Sequence, residues 1–393
     1  MKTFLDFVPW FDDAHRALGK RLEETILVGD EALHHEKKVG RRLAELGLFR
    51  LLIPGAAIGE GDVRGLCLAR ERLAYDSGMA DSVFAVQGLA SRPLIMASHY
   101  AHRTEMLHDV ENGTKIGGFA LTEPDAGSDV AAMKSVARKE NDAWILDGEK
   151  CFISNVGIAD YFVVFANADP TRQRNGLVNH ETHASEGRKG ISAFVVPAHA
   201  PGLHLERMEM SIDHPIGRLV MNGCRIPGDA LLGEIGDGLR LALSTLGTFR
   251  TSVGAAAVGM AQRALDETLA RVTERIQFGK PLSDFQLTQV SLAEMAIELD
   301  AARLLVARAA WEKDRGQRAD VEVAMAKYFA TEAAQRIIDR AVQLHGGLGV
   351  LRGSVVEKLY REIRPLRIYE GTSEIQTLII GKALVDGFRS PES

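Results

Sequence analysis

The chain has 393 residues, 46% of them hydrophobic and 25% charged, with 47 basic against 53 acidic side chains and a formal net charge of -6 at pH 7. That length exceeds one ordinary core and predicts two or three domains with room for a deep site. The acidic balance excludes the basic excess or stripe of a nucleic-acid binder, and no apolar run approaches the roughly 20 residues that a membrane helix needs.

The N-terminal stretch meets Asp12 and Asp13 before any signal-type apolar region can form, so a mature chain starting near Met1 is expected. Cys67, Cys151 and Cys224 are too few and too far apart for a disulfide framework or a CxxC site. A reducing, cytoplasmic setting follows.

The first third carries apolar residues at spacings of three and four, predicting helices over residues 15–28, 39–49, 65–74 and 91–110, with Pro54-Gly55 as a break. From about Gly117 short β-type runs take over, at residues 115–122, 143–146, 150–154, 161–166, 191–197 and 218–221. Asp147-Gly148 and Asn222-Gly223 stand where tight hairpin turns are expected. So many short strands predict a β-barrel or sandwich.

Residues 167–189 are polar and aperiodic, a long loop. Within it His180 and His183 lie three apart with no third ligand placed by the sequence, and no metal site is assigned there.

After Pro227 the helical period returns. The stripes Val258, Ala261, Leu265, Leu269, Val272 and Val290, Ala293, Ile297, Ala301, Leu304, Trp311 call for a helical bundle. The small residues of 254–261 would allow close helix approach or an oligomer contact.

Five short segments are candidates for chemistry. In FALTEPDAGSD, residues 119–129, Thr122 and Ser128 offer hydroxyls and Gly127 close backbone approach, suiting a polar ring or a phosphate as well as an ordinary strand exit. In DGEKCFISN, residues 147–155, Phe152 and Ser154 fall two apart on one strand face, a pairing that suits a planar heteroaromatic ligand as well as core packing.

In ERIQFGKPL, residues 274–282, a long helix stops at Gly279 and Pro281, and Arg275 can pair a phosphate or simply face the helix dipole. In QLHGGLGV, residues 343–350, the glycines follow a helical period instead of a strand, which disfavours a nicotinamide site. In RIYEGTSEIQ, residues 367–376, Glu370 precedes a glycine at the end of a helical region, with Thr372 and Ser373 ready to cap the next helix. Glu370 taken alone is a candidate base or a solvated cap charge.

Taken in order, these motifs resemble the acyl-CoA dehydrogenase family of flavoproteins, from about Gly117 to Leu384. The resemblance implies an α+β fold: an N-terminal helical domain (1–116), a central β-barrel domain (117–232) and a C-terminal four-helix bundle (233–393), assembled as a homotetramer or homodimer. It implies FAD as cofactor, an acyl-CoA substrate and an electron-transfer flavoprotein as acceptor.

By the same resemblance Phe119, Leu121, Thr122 and Ser128 lie at the isoalloxazine and the acyl-CoA entrance, with Phe152 and Ser154 on the other flavin side. Arg275, Gln277, Phe278, Gln343, Gly346 and Gly347 match positions holding the FAD pyrophosphate and adenosine, in part across a subunit boundary. Thr372 and Glu374 touch the cofactor, and Ser128, Arg250, Glu370 and Gly371 form the substrate side.

Glu370 falls on the family's catalytic glutamate. Some relatives carry that base on the helix where this chain has Phe249, which cannot take a proton. Departures are Phe152 and Ser154, where a tryptophan and a threonine are commoner, and EMSIDHPI at residues 209–216, where a glycine and an arginine are common. The implied reaction is removal of a thioester α-proton coupled to β-hydride loss to flavin, giving a 2,3-enoyl-CoA. Enoyl-CoA reductases, oxidases and monooxygenases share the fold, and Glu370 argues against the last.

Overall fold

The computed structural model describes residues 10–55, 61–168 and 190–389. In chain order the helices are α1 (Asp13–Thr25), α2 (Glu36–Glu45), α3 (Val63–Asp76), α4 (Gly78–Met96) and α5 (Arg103–Glu111). The strands β1 (Gly117–Ala120), β2 (Val136–Glu140), β3 (Ala143–Ser154), β4 (Tyr161–Asn167), β5 (Ile191–Pro197), β6 (Leu203–Arg207), β7 (Ile216–Pro227) and β8 (Leu231–Leu232) follow. Then come α6 (Gly238–Glu274), the small hairpin β9 (Ile276–Gln277) and β10 (Lys280–Pro281), α7 (Gln286–Asp314), α8 (Asp320–His345), α9 (Val355–Ile363) and α10 (Ser373–Arg389). The chain forms two compact units, the first from Met1–Glu31, Pro54–Asp81 and Gly247–Ser393, the second from Ala32–Ile53 and Ser82–Leu246.

The first unit is helical, and small residues let its helices approach. A Cβ on Gly254 of α6 would stand 2.8 Å from Val306 of α7 and 3.3 Å from the Ala326 carbonyl of α8. One on Gly259 would stand 2.1 Å from the Glu71 carbonyl of α3. The 254–261 cluster therefore serves helix packing within the chain. Buried Ala255, Ala256, Ala257 and Ala330 complete the seam, and Arg303 is buried with its guanidinium on Gln262 at 2.5 Å and Glu71 at 3.3 Å.

The second unit is built on one sheet, ordered β6-β7-β3-β2-β4-β5-β8, with β1 parallel on β4. The expected barrel is corrected here: the path is open, running from β6, mostly exposed, to the two-residue β8. Strand β4 is buried throughout, and so reads as an unbroken apolar run instead of an alternation. Its core gathers Trp144, Leu146, Phe162, Val164, Phe194, Leu219 and Ile226.

Two local expectations change. Asp147-Gly148 and Asn222-Gly223 are not hairpin turns; both lie inside the long β3/β7 pair, where the register shifts between Leu146 and Gly148. The Asp147 carboxylate accepts the Gly223 N–H at 2.7 Å, so the ladder is bridged and both strands run on. The single helix expected over residues 91–110 is two helices, α4 starting at Gly78 and α5, separated at residues 97–102. Helix α4 starts unseen because its Gly, Ala and Ser residues are largely buried all round and leave little periodicity. Gln87 ties it to the sheet, accepting the Gly117 N–H at 2.7 Å and donating to the Lys115 carbonyl at 2.8 Å.

Candidate active site

Helix α9 is capped by Ser354 and runs into a 3-10 turn over Arg364–Arg367, begun with Pro365. The chain then reverses at Glu370 and Gly371, with φ of 54° and 93°, before α10 starts with Thr372 Oγ1 accepting the Ile375 N–H at 3.4 Å. Glycine meets that φ freely, whereas a glutamate in the left-handed region costs about 1 kcal/mol or more.

Outside donors hold the turn. Arg250 Nε of α6 donates to the Glu370 carbonyl at 2.8 Å, and Lys327 Nζ of α8 donates to the Gly371 carbonyl at 2.8 Å. Gln376 Nε2 of α10 adds a second donor to the same carbonyl at 2.9 Å. A Cβ on Gly371 would come within 2.7 Å of that Gln376 nitrogen and push it off the carbonyl, and the φ of 93° itself favours glycine there.

The carboxylate itself receives none of these donors: Glu370 Oε2 is buried without a hydrogen-bond partner. Burial pushes the Glu370 carboxyl up to about 7, against the opposing pull of Arg70, Arg250 and Lys327. Burial also pulls the Lys327 ammonium down to about 8. Arg70, fully buried on α3, is gripped by Asp81 through two contacts of 2.8 Å and donates to Ser252 Oγ at 3.0 Å. That pair keeps its charges balanced, so Arg70 shields Glu370 only in part. Phe249, at the rival position on α6, is buried and carries no ionisable group.

In the second unit, Lys150 is completely buried in β3, with Nζ 2.7 Å from Glu123 Oε1 and 3.2 Å from the Leu121 carbonyl. Glu123 also accepts the Lys134 N–H at 2.5 Å and the Ser135 N–H at 3.0 Å, and the Cys151 N–H donates to the Thr122 carbonyl at 3.0 Å. The loop carrying Leu121, Thr122 and Ser128 is thus anchored at its root while Ser128 stays exposed.

Phe152 sits where the β3/β7 register shifts again, between Lys150 and Ile153, at φ 55° and 56% exposed. Ser154, two residues on, has its Oγ 2.8 Å from His214 Nε2. Desolvation pulls the His214 imidazole down to about 4, so the ring is neutral at pH 7. Phe119 is half-buried with its ring 5.0 Å from that of Phe165.

The other expected site residues lie in the first unit. Arg275, Gln277 and Phe278 are exposed on the β9/β10 hairpin, a two-residue turn with φ of 50° at Phe278 and 79° at Gly279. Gln343, Gly346 and Gly347 are exposed at the end of α8, Thr372 is half-buried and Glu374 exposed. The structure brings Arg250, Glu370 and Gly371 together by hydrogen bonds and adds Lys327, Arg70 and Asp81, which sequence reasoning missed. A lysine inside an apolar helical stripe was the available signal.

His180 and His183 lie outside the described residues. Among the described residues His15, Asp62 and Asp314 cluster closely enough for a metal. Their atoms are already engaged, His15 with Asp12 and Asp62, Asp314 with Arg64 and the Val63 N–H. No described helix is long and apolar enough to cross a membrane.

Residues 118–224 match the family model described as acyl-CoA dehydrogenase, middle domain, and residues 236–385 that of acyl-CoA dehydrogenase, C-terminal domain. The chain is 38% identical over 355 residues to the short-chain specific acyl-CoA dehydrogenase, mitochondrial, of Rattus norvegicus, covering 89% of this chain and 83% of that one. It is 34% identical over 362 residues to the caffeyl-CoA reductase-Etf complex subunit CarC of Acetobacterium woodii, covering 91% and 92%. The structure of a glutaryl-CoA dehydrogenase from Mycobacterium smegmatis in complex with FADH2 matches with a TM-score of 0.86 at 27% identity, covering 97% of each chain.

Proposed function

Because this chain belongs to the acyl-CoA dehydrogenase family, we propose that it is an FAD-dependent oxidoreductase that converts an acyl-CoA thioester to the 2,3-enoyl-CoA, with Glu370 as the base. The observation that carries the role is the Glu370 carboxylate, with Oε2 buried and unpartnered and the carboxyl pushed up to about 7. A thioester α-proton is a far weaker acid than an ordinary carboxyl, so a base held near neutrality transfers that proton with less penalty.

FAD, when bound, supplies the acceptor for the β-hydrogen and its electron pair. Glu370 takes the α-proton and holds it on its carboxyl. Arg250 and Lys327 keep the turn fixed while that proton arrives, because their donors are spent on backbone carbonyls.

In the second unit we assign Phe119, Leu121, Thr122, Ser128, Phe152 and Ser154 to the flavin ring and acyl-CoA entrance; the anchored loop and the exposed Phe152 support it. In the first unit we assign Thr372 and Glu374 to the cofactor beside the base, and Arg250 and Gly371 with Glu370 to the substrate side. Arg275, Gln277, Phe278, Gln343, Gly346 and Gly347 are assigned to the pyrophosphate and adenosine. Phe278 at 94% exposure and Leu287 at 83% support a homotetramer whose partner subunits cover them. The division into 1–116, 117–232 and 233–393 and a cytoplasmic setting belong to the same reading, the latter supported by three buried, unpaired cysteines.

An electron-transfer flavoprotein is the proposed acceptor, since a relative is itself named as part of a complex with Etf. That relative is named as a reductase, which supports a second direction in which Glu370 returns the proton to the α-carbon. One experiment tests the reading: the purified protein's visible spectrum is followed anaerobically during titration with a panel of acyl-CoAs and enoyl-CoAs. Bleaching by an acyl-CoA is expected, abolished in Glu370→Gln. A protein that neither holds nor accepts FAD sinks the proposal.

A further inference from the structure

Lys327 has no part in the resemblance to known enzymes, yet it is fully buried inside α8. An ammonium there is costly unless its donors and charge are used. The acidic groups acting on it are Glu370, Glu332 and Glu374. Glu332 is engaged by Arg367 Nε at 2.8 Å and Ser373 Oγ at 2.5 Å, and Glu374 is exposed. What Lys327 Nζ holds, at 2.8 Å, is the carbonyl of the residue immediately after Glu370.

Arg250 holds the carbonyl of Glu370 itself at the same distance, so two cations from two helices grip consecutive peptide groups of the left-handed turn. We propose that Lys327 is a positioning residue for Glu370: it pins the Gly371 carbonyl so that the carboxylate stays free of donors, and its charge favours the ionised base. The inference rests on the reading of Glu370 as the base.

Other charges face Glu370 as well: Arg70 from α3, Asp81 from α4, Arg250 from α6, with Tyr369 beside it in the chain. Arg70 and Arg250 favour the ionised carboxylate in the same sense as Lys327 and more strongly, Arg70 being offset in part by Asp81, so Lys327 adds to their pull. Burial brings the Lys327 ammonium down to about 8 and the Glu370 carboxyl up to about 7, so the two ionise in adjoining pH ranges and each supports the charged form of the other.

The test reads Glu370 directly, as the protonated-carboxyl infrared band that is missing from Glu370→Gln, titrated in the holoenzyme, alongside the pH profile of kcat/KM. Lys327→Met is expected to move the Glu370 midpoint up by roughly one unit and to lower kcat/KM at pH 6 by roughly tenfold. Lys327→Arg keeps the charge and is expected to restore the midpoint. Lys327→Gln keeps a donor without charge, so its midpoint stays raised while KM remains near that of the parent.

An unchanged midpoint in Lys327→Met, with acyl-CoA oxidation intact, overturns the proposal and leaves the proposed function standing. Should the methionine variant fail to fold, equal midpoints in the glutamine and arginine variants overturn it. Should no acyl-CoA bleach the flavin, the proposed function falls and the infrared midpoints still decide the coupling.

Discussion

Arg250 donates its Nε to the backbone carbonyl of Glu370 at 2.8 Å and leaves the carboxylate of the same residue alone. Had the guanidinium met the carboxylate in a fork, the carboxyl would sit below its ordinary range instead of near 7. Arg250→Ala removes both a backbone anchor and a nearby charge, and kcat/KM for an acyl-CoA is expected to fall roughly 100-fold. Arg250→Lys restores charge without the fork, and recovery of no more than part of that loss is the expected steady-state result.

Glu370→Gln is expected to lower kcat roughly 1000-fold with the flavin still bound, read from turnover and the visible spectrum. Its stability should depend on pH in a defined sense. The folded carboxyl near 7 lies above its unfolded value of 4.5, so the stability it contributes is whole below 4.5 and is lost as pH rises to 7. Above pH 7 the glutamine variant is therefore the more stable protein, by about 3 kcal/mol, and the gap closes toward pH 4.5 in urea titrations.

His214 runs the opposite way. Its folded value near 4 lies below the ordinary 6.5, so the unfolded chain takes up the proton first as pH falls. The stability it contributes is whole above 6.5 and lost between 6.5 and 4. His214→Gln is expected to flatten the acid side of the stability profile by about 2 kcal/mol, measured as urea midpoints at pH 7 and pH 4.5.

Lys150→Met strands the Glu123 carboxylate in the second unit's interior, and a loss of about 3–5 kcal/mol is expected. The double variant with Glu123→Gln should recover part of that loss, since no unpaired charge remains. Equal stability of the single and double variants in chemical denaturation would contradict the pairing.

Phe152→Gly relieves a left-handed backbone at an exposed ring, and the apoprotein is expected to gain up to about 1 kcal/mol. The same change removes the aromatic face assigned to the flavin. FAD retention on gel filtration should drop while the melting temperature of the apoprotein does not.

The sequence alone was enough to settle the helix, strand, helix order, because periods of 3.6 and 2 are properties of neighbouring residues. Long α6, α7 and α8 and the buried β4 and β5 were legible for that reason. So were the glycine beside Glu370 and the helix end at Gly346, where one residue type answers one backbone need. Asp147-Gly148 and Asn222-Gly223 misled because a turn signature and a bulge signature are the same residues, and only the facing strand decides between them. Tertiary structure alone decided what surrounds Glu370. Lys327, Arg70 and Asp81 are 43, 300 and 289 positions away in the chain, by subtraction from 370, so no local pattern relates them to it. Burial of the Glu370 carboxyl itself, with no donor on Oε2, raises it to near neutrality against the pull of Arg70 and Lys327, since a pKa answers to what folding brings near and to the water it removes.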